Sequence, residues 1–194
     1  MSTRANKDLG YTRPLLAYVI IKTLGSDWNG SHRLVELAEE TPPFADKLLH
    51  KLNSVGKGTT VECQRIANIV CTELEPSIYK HQLTELYTSF VKEAKQLGHS
   101  GNSEVLTTFI TFTVELCRSC VEKDRSIEVP SIHEYTCRLI SESSNSCVTD
   151  GWERYIDSIP SGNLSNRSHT HWNSMLEVAL TGLRVYDRYL RHTT

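Results

Sequence analysis

A chain of 194 residues is long enough for one hydrophobic core and short for two, so a single domain is expected. Hydrophobic residues at 39% and charged residues at 23% place it among ordinary folded chains and exclude a collagen-like, disordered or membrane-bundle class. A net charge of -2, from 21 basic and 23 acidic side chains, supplies no field to draw in nucleic acid, so nucleic acid is not an expected partner.

The apolar run at residues 15–21 is short, follows Pro14 and is not followed by a small-residue cleavage site, so it reads as a helix rather than a signal peptide. Leu15, Leu16, Val19 and Ile20 recur at helical spacing and predict a first helix reaching about Leu24, before the turn Gly25-Ser26-Asp27-Trp28-Asn29-Gly30. A short helix over residues 34–38 follows, stopped by Pro42 and Pro43. Phe44, Leu48, Leu52 and Val55 form one apolar stripe, and Ile66, Ala67, Val70 and Leu74 form another beyond Gly56 and Gly58. Glycine costs a helix interior about 1 kcal/mol, so a kink or break is expected between the stripes.

The clearest amphipathic helix carries Leu83, Leu86, Tyr87, Phe90, Val91, Ala94 and Leu97, with charges on its other face. Between Glu104 and Glu115 lie ten uncharged residues, VLTTFITFTV, and the apolar character continues through Leu116, Cys117, Cys120 and Val121. A helix apolar on nearly all sides is usually the one that other helices surround. Ile132, Tyr135, Leu139 and Ile140 form a stripe after Pro130, and Trp152, Tyr155, Ile156 and Ile159 form a short one after a polar stretch. A last helix carries Trp172, Leu176, Ala179, Leu180, Leu183, Tyr186 and Leu190. Its longest uncharged stretch, 178–183, is far below the roughly 20 residues that span a bilayer, so no membrane anchor is expected in this chain. The fold class is therefore all-α, a bundle around an apolar central helix.

Catalytic chemistry has no persuasive signature. Gly56-Lys57-Gly58-Thr59 lacks the Ser or Thr after the lysine and the earlier glycine that a phosphate loop requires. Cys117 and Cys120 form a lone C-x-x-C on the apolar helix, where buried thiols are favoured over zinc; Cys137 and Cys147 have the wrong spacing for a second ligand pair. His169 and His171 fall in a polar loop. Six cysteines without a secretory signal are expected as reduced thiols, and the triplets at Asn29, Asn163 and Asn166 as polar loops rather than glycosylation sites. A non-enzymatic chain in the cytosol, with no cofactor and no metal, is expected.

Four segments carry a resemblance to a known family. The first is the run from Asn102 to Cys117, in which Asn102, Phe109, Phe112, Leu116 and Cys117 coincide with the family pattern. The second is Asp150-Gly151-Trp152-Glu153-Arg154-Tyr155-Ile156, a Gly-Trp pair with an aromatic three residues on. The third is Leu48, Leu52, Val55 and Gly56, and the fourth is the N-terminal helix followed by Gly25-Ser26-Asp27-Trp28. These resemble the first to fourth homology motifs of the Bcl-2 family of apoptosis regulators, and with them the order of helices also resembles that family. The likeness spans about residues 11–160 of a single domain over 1–194, with a C-terminal helix at about 170–191.

The resemblance implies a Bcl-2-like bundle that holds a partner's BH3 helix in an apolar groove. It implies a groove lined by Val61, Ile66, Phe90, Ala94, Asn102, Val105, Leu106, Thr108, Phe109, Phe112, Gly151, Trp152 and Tyr155. The implied partners are the BH3 motifs of pro-apoptotic family members, and the chain would be cytoplasmic or peripheral at the outer mitochondrial membrane, as a monomer or weak homodimer. Ser103, Glu104 and Val105 stand where the family has Trp-Gly-Arg, which removes the arginine that meets the ligand's aspartate. Lys57 stands where the third motif has an acid, which argues against killer activity by an exposed segment, so a survival-promoting member is expected. The alternatives are a membrane-permeabilising effector of the same family and a helical metal or redox module built on Cys117 and Cys120.

Overall fold

Helix α1, Thr12–Leu24, starts with Pro14 in its first turn, where a missing N–H leaves no bond unmade. Thr12, Pro14, Leu15, Leu16, Ala17, Val19 and Ile20 are all buried, so only a narrow face meets solvent. The helix stops at Gly25, whose φ of +80° suits glycine and whose N–H bonds the Ile21 carbonyl at 3.1 Å. The structure is a computed structural model and describes residues 10–25, 28, 31–54, 57–73, 88, 102–142, 151–159 and 181.

Helix α2, His32–Glu39, packs closely on α1 and buries Leu34. It ends before Pro42 and Pro43, as the sequence predicts. Helix α3, Ala45–Ser54, buries Ala45, Leu48 and Leu52 on one face. Helix α4, Lys57–Glu73, carries Gly58 in its first turn; the expected kink or break at Gly56 lies outside the described residues.

Helix α5, Asn102–Glu122, is the centre of the bundle: every residue from 106 to 117 is buried. Three of its threonines are tolerated there because they bond back along the helix. The Thr107, Thr111 and Thr113 hydroxyls donate to the carbonyls of Ser103, Thr107 and Phe109 at 2.6, 2.9 and 2.9 Å. Helix α4 lies parallel to α5, because contacting residues advance along both helices together. The Cys63 thiol meets the Thr108 carbonyl at 3.9 Å, Ser119 donates to Asn68 at 3.1 Å, and Lys123 donates to Thr72 at 2.7 Å.

Asp124 ends α5 in a left-handed conformation, φ 56°, and the Arg125 N–H reaches back to the Cys120 carbonyl at 2.7 Å. A 3-10 turn, Ser126–Glu128, leads into helix α6, Val129–Glu142, which packs on both α1 and α5. Helix α7, Trp152–Ser158, starts at Gly151, whose φ of +105° and ψ of 148° lie where only glycine sits without strain. It rests on α3, with Lys47 ion-paired to Asp157 and Lys51 donating to the Ile159 carbonyl at 2.9 Å.

Among the described residues there are seven α-helices, one 3-10 turn and no strand, so the chain is an all-α bundle as expected. No helix among them is long and apolar enough to cross a membrane. The helices expected around Leu83 and Leu97 and between Trp172 and Leu190 lie outside the described residues, apart from Thr88 and Thr181, both helical and exposed.

Candidate functional site

The candidate groove residues fall into three sets. Phe90 and Ala94 lie outside the described residues. Asn102 and Val105 stand in the first turns of α5, where only the backbone is described. Among the rest, Ile66, Leu106, Thr108, Phe109, Phe112, Gly151, Trp152 and Tyr155 are buried, whereas Val61 is 61% exposed on α4.

Several of the buried ones are brought together by α7. The Trp152 indole N–H donates to the Thr12 hydroxyl of α1 at 3.2 Å, and its ring meets Tyr155 edge-on with centroids 5.5 Å apart. The Tyr155 hydroxyl lies 2.8 Å from that of Thr107 on α5. Gly151 lets the chain enter this helix at a positive φ, Trp152 then ties α7 to α1, and Tyr155 ties it to α5. On α4, Ile66 belongs to the same core as Phe109 and Phe112 of α5. The Thr108 hydroxyl is buried there with no hydrogen-bond partner among the described residues.

A cavity of about 140 Å³ opens elsewhere, between α1, α3, α4 and α5. Its apolar wall is Val19, Leu49, Leu52 and Val114; Thr60, Glu115 and Arg118 supply polar atoms. At about 100° per residue, Phe109, Phe112 and Leu116 share one face of α5, while Thr111, Val114, Glu115 and Arg118 share the opposite one. None of the candidate groove residues lines this cavity. Glu115 is buried, and Arg118 Nη1 donates to its two oxygens at 2.8 and 2.7 Å. Burial raises the Glu115 pKa, and the Arg118 charge and hydrogen bond offset only part of that. A space of this size accepts a ring or a branched aliphatic side chain. The sequence signal that could have found it is an acid and an arginine three residues apart on an otherwise apolar helix.

Three cations, Arg65, Lys92 and Lys95, are candidates for the place of the arginine that the resemblance would require. Arg65 is held by Glu62 of its own helix, with Nε donating to both carboxylate oxygens at 3.0 and 3.1 Å. Lys92 and Lys95 lie outside the described residues. Cys117 and Cys120 are both fully buried on α5. Burial pushes the Cys117 thiol well above its ordinary value, and pushes Cys120, with help from Cys71, up to about 12. No group of His, Cys, Asp and Glu among the described residues is arranged to hold a metal ion.

Compared with family models, with curated proteins and with solved structures, the chain matches none.

Proposed function

We propose that this chain is a non-enzymatic, survival-promoting regulator of apoptosis of the Bcl-2 type, which sequesters the BH3 helix of pro-apoptotic partners in an apolar groove. The observation that carries the proposal is the docking of α7. A Gly-Trp pair at its start is joined to α1 through Thr12, and Tyr155 to the buried central helix through Thr107. This supports the reading by setting the segment that resembles the second motif beside the one that resembles the first.

An amphipathic ligand helix inserts apolar side chains at i, i+3 or i+4 and i+7 into such a groove, and its affinity comes from buried area. Phe90, Ala94 and the start of α5 are assigned to the groove wall by the resemblance. Val105 offers the ligand's carboxylate no donor, so binding rests on apolar contacts and the acid remains at the solvated rim. The cytoplasm and the cytoplasmic face of the outer mitochondrial membrane are the proposed places of action.

A liposome-release experiment tests the direction of the activity. A sequestering protein suppresses dye release by an activated effector and releases none itself. Release by this chain alone, after addition of a BH3 helix, would make it an effector instead.

A further inference from the structure

Cys71, near the end of α4, and Cys120, near the end of α5, bring their sulfurs to 3.8 Å, with the Cys71 thiol donating toward Cys120. The two helices are pinned on neighbouring turns by the Asn68–Ser119 and Thr72–Lys123 hydrogen bonds, so the sulfurs are held in place. Arg125, folded back by the turn at Asp124, donates to the Cys71 carbonyl, and its Nη1 lies 4.0 Å from the Cys71 sulfur. A disulfide has its sulfurs about 2.05 Å apart. Closing the gap from 3.8 Å needs the two side chains to turn toward each other.

We infer that Cys71 and Cys120 are the site of an oxidative cross-link between α4 and α5, formed with a peroxide as the two-electron oxidant. The peroxide oxygen–oxygen bond accepts an electron pair from one sulfur, giving a sulfenic acid and one water. The second sulfur then attacks the first, the sulfur–oxygen bond breaks, and the departing hydroxide takes the second thiol's proton as another water. Two thiols and one hydrogen peroxide thus give one disulfide and two waters. The link encloses residues 72–119, which include Phe90, Ala94 and Phe109 of the groove residues implied by the resemblance.

Both sulfurs are buried, and the Cys120 thiol is pushed up to about 12, so the Cys120 thiolate is scarce at neutral pH. Cross-linking is therefore slow near neutrality and accelerates as pH rises.

The sequence makes the test specific, because trypsin cleaves after Arg118 and separates Cys117 from Cys120. The full chain is treated with hydrogen peroxide, its remaining thiols are alkylated, and a tryptic digest is read by mass spectrometry without reduction. The expected dominant product joins residues 66–80 to residues 119–123, with loss of two hydrogens, and disappears on reduction. The oxidised chain is expected to melt at a higher temperature than the reduced one, an increase absent from a Cys71→Ala variant. A dominant link between residues 96–118 and 119–123 would overturn the assignment. So would sulfinic acid without a link, or failure of the folded chain to oxidise at either neutral or alkaline pH.

Discussion

Trp152 is fully buried, donates its indole N–H to Thr12 and stacks edge-on against Tyr155. Truncating such a residue removes its apolar burial and leaves a cavity, which together cost about 3–5 kcal/mol. Trp152→Ala is therefore expected to lower the denaturant midpoint sharply, and a variant of unchanged stability would contradict the packing described. Tyr155→Phe is the milder change: it deletes one hydroxyl from the pair with Thr107, an effect of about 1 kcal/mol. Val105 makes a different kind of prediction, about the ligand. With Arg65 already held by Glu62, replacing a BH3 helix's aspartate with alanine should weaken binding by less than about 1 kcal/mol, the scale of an exposed ion pair. Titration of matched Asp and Ala peptides measures it; a loss above about tenfold, or 1.4 kcal/mol, would mean that a cation reaches the acid after all.

At the scale of elements, α1 and α6 are joined at a titratable contact. His133 is buried on α6, with Nε2 3.0 Å from the Arg13 carbonyl of α1 and 3.4 Å from the Cys137 sulfur. Burial lowers its pKa below 6.5, outweighing the Arg13 carbonyl and the nearby Glu134, which act the other way, while Arg13 and Arg33 lower it further. The folded state thus binds fewer protons than the unfolded one in this range, so the His133 contribution is complete above pH 6.5 and is lost as pH falls through the folded pKa. The expected result is a melting temperature that declines from pH 7 toward pH 5, with a shallower decline in His133→Gln; equal slopes would remove His133 from the account. The elements themselves were legible because local rules set their ends. Gly25 stops α1, and Pro42 and Pro43 bar the continuation of α2. The parallel pairing of α4 with α5 was not legible, since it depends on partners such as Asn68 and Ser119 that lie 51 residues apart.

For the molecule as a whole, the central helix was legible from one run of uncharged residues, and all of 106–117 proves buried. The site was less so. Apolar spacing marks Phe109, Phe112, Trp152 and Tyr155 equally as core or as groove lining, and their burial leaves them serving the core whether or not a ligand also rests against their helices. The cavity beside Glu115 escaped the sequence reading because four helices contribute to it and no single period records that meeting. The proposed activity therefore turns on the wall assigned to Phe90 and Ala94. The most direct measurement is a calorimetric titration of a panel of synthetic BH3 helices into the full chain and into Ala94→Glu, with both proteins shown by circular dichroism to be folded. The account predicts that at least one helix binds the unaltered chain below about 1 μM, equivalent to roughly 8 kcal/mol, and that Ala94→Glu loses this binding with its melting temperature nearly unchanged. A folded chain that binds none of the panel, or a folded Ala94→Glu variant of undiminished affinity, would contradict it.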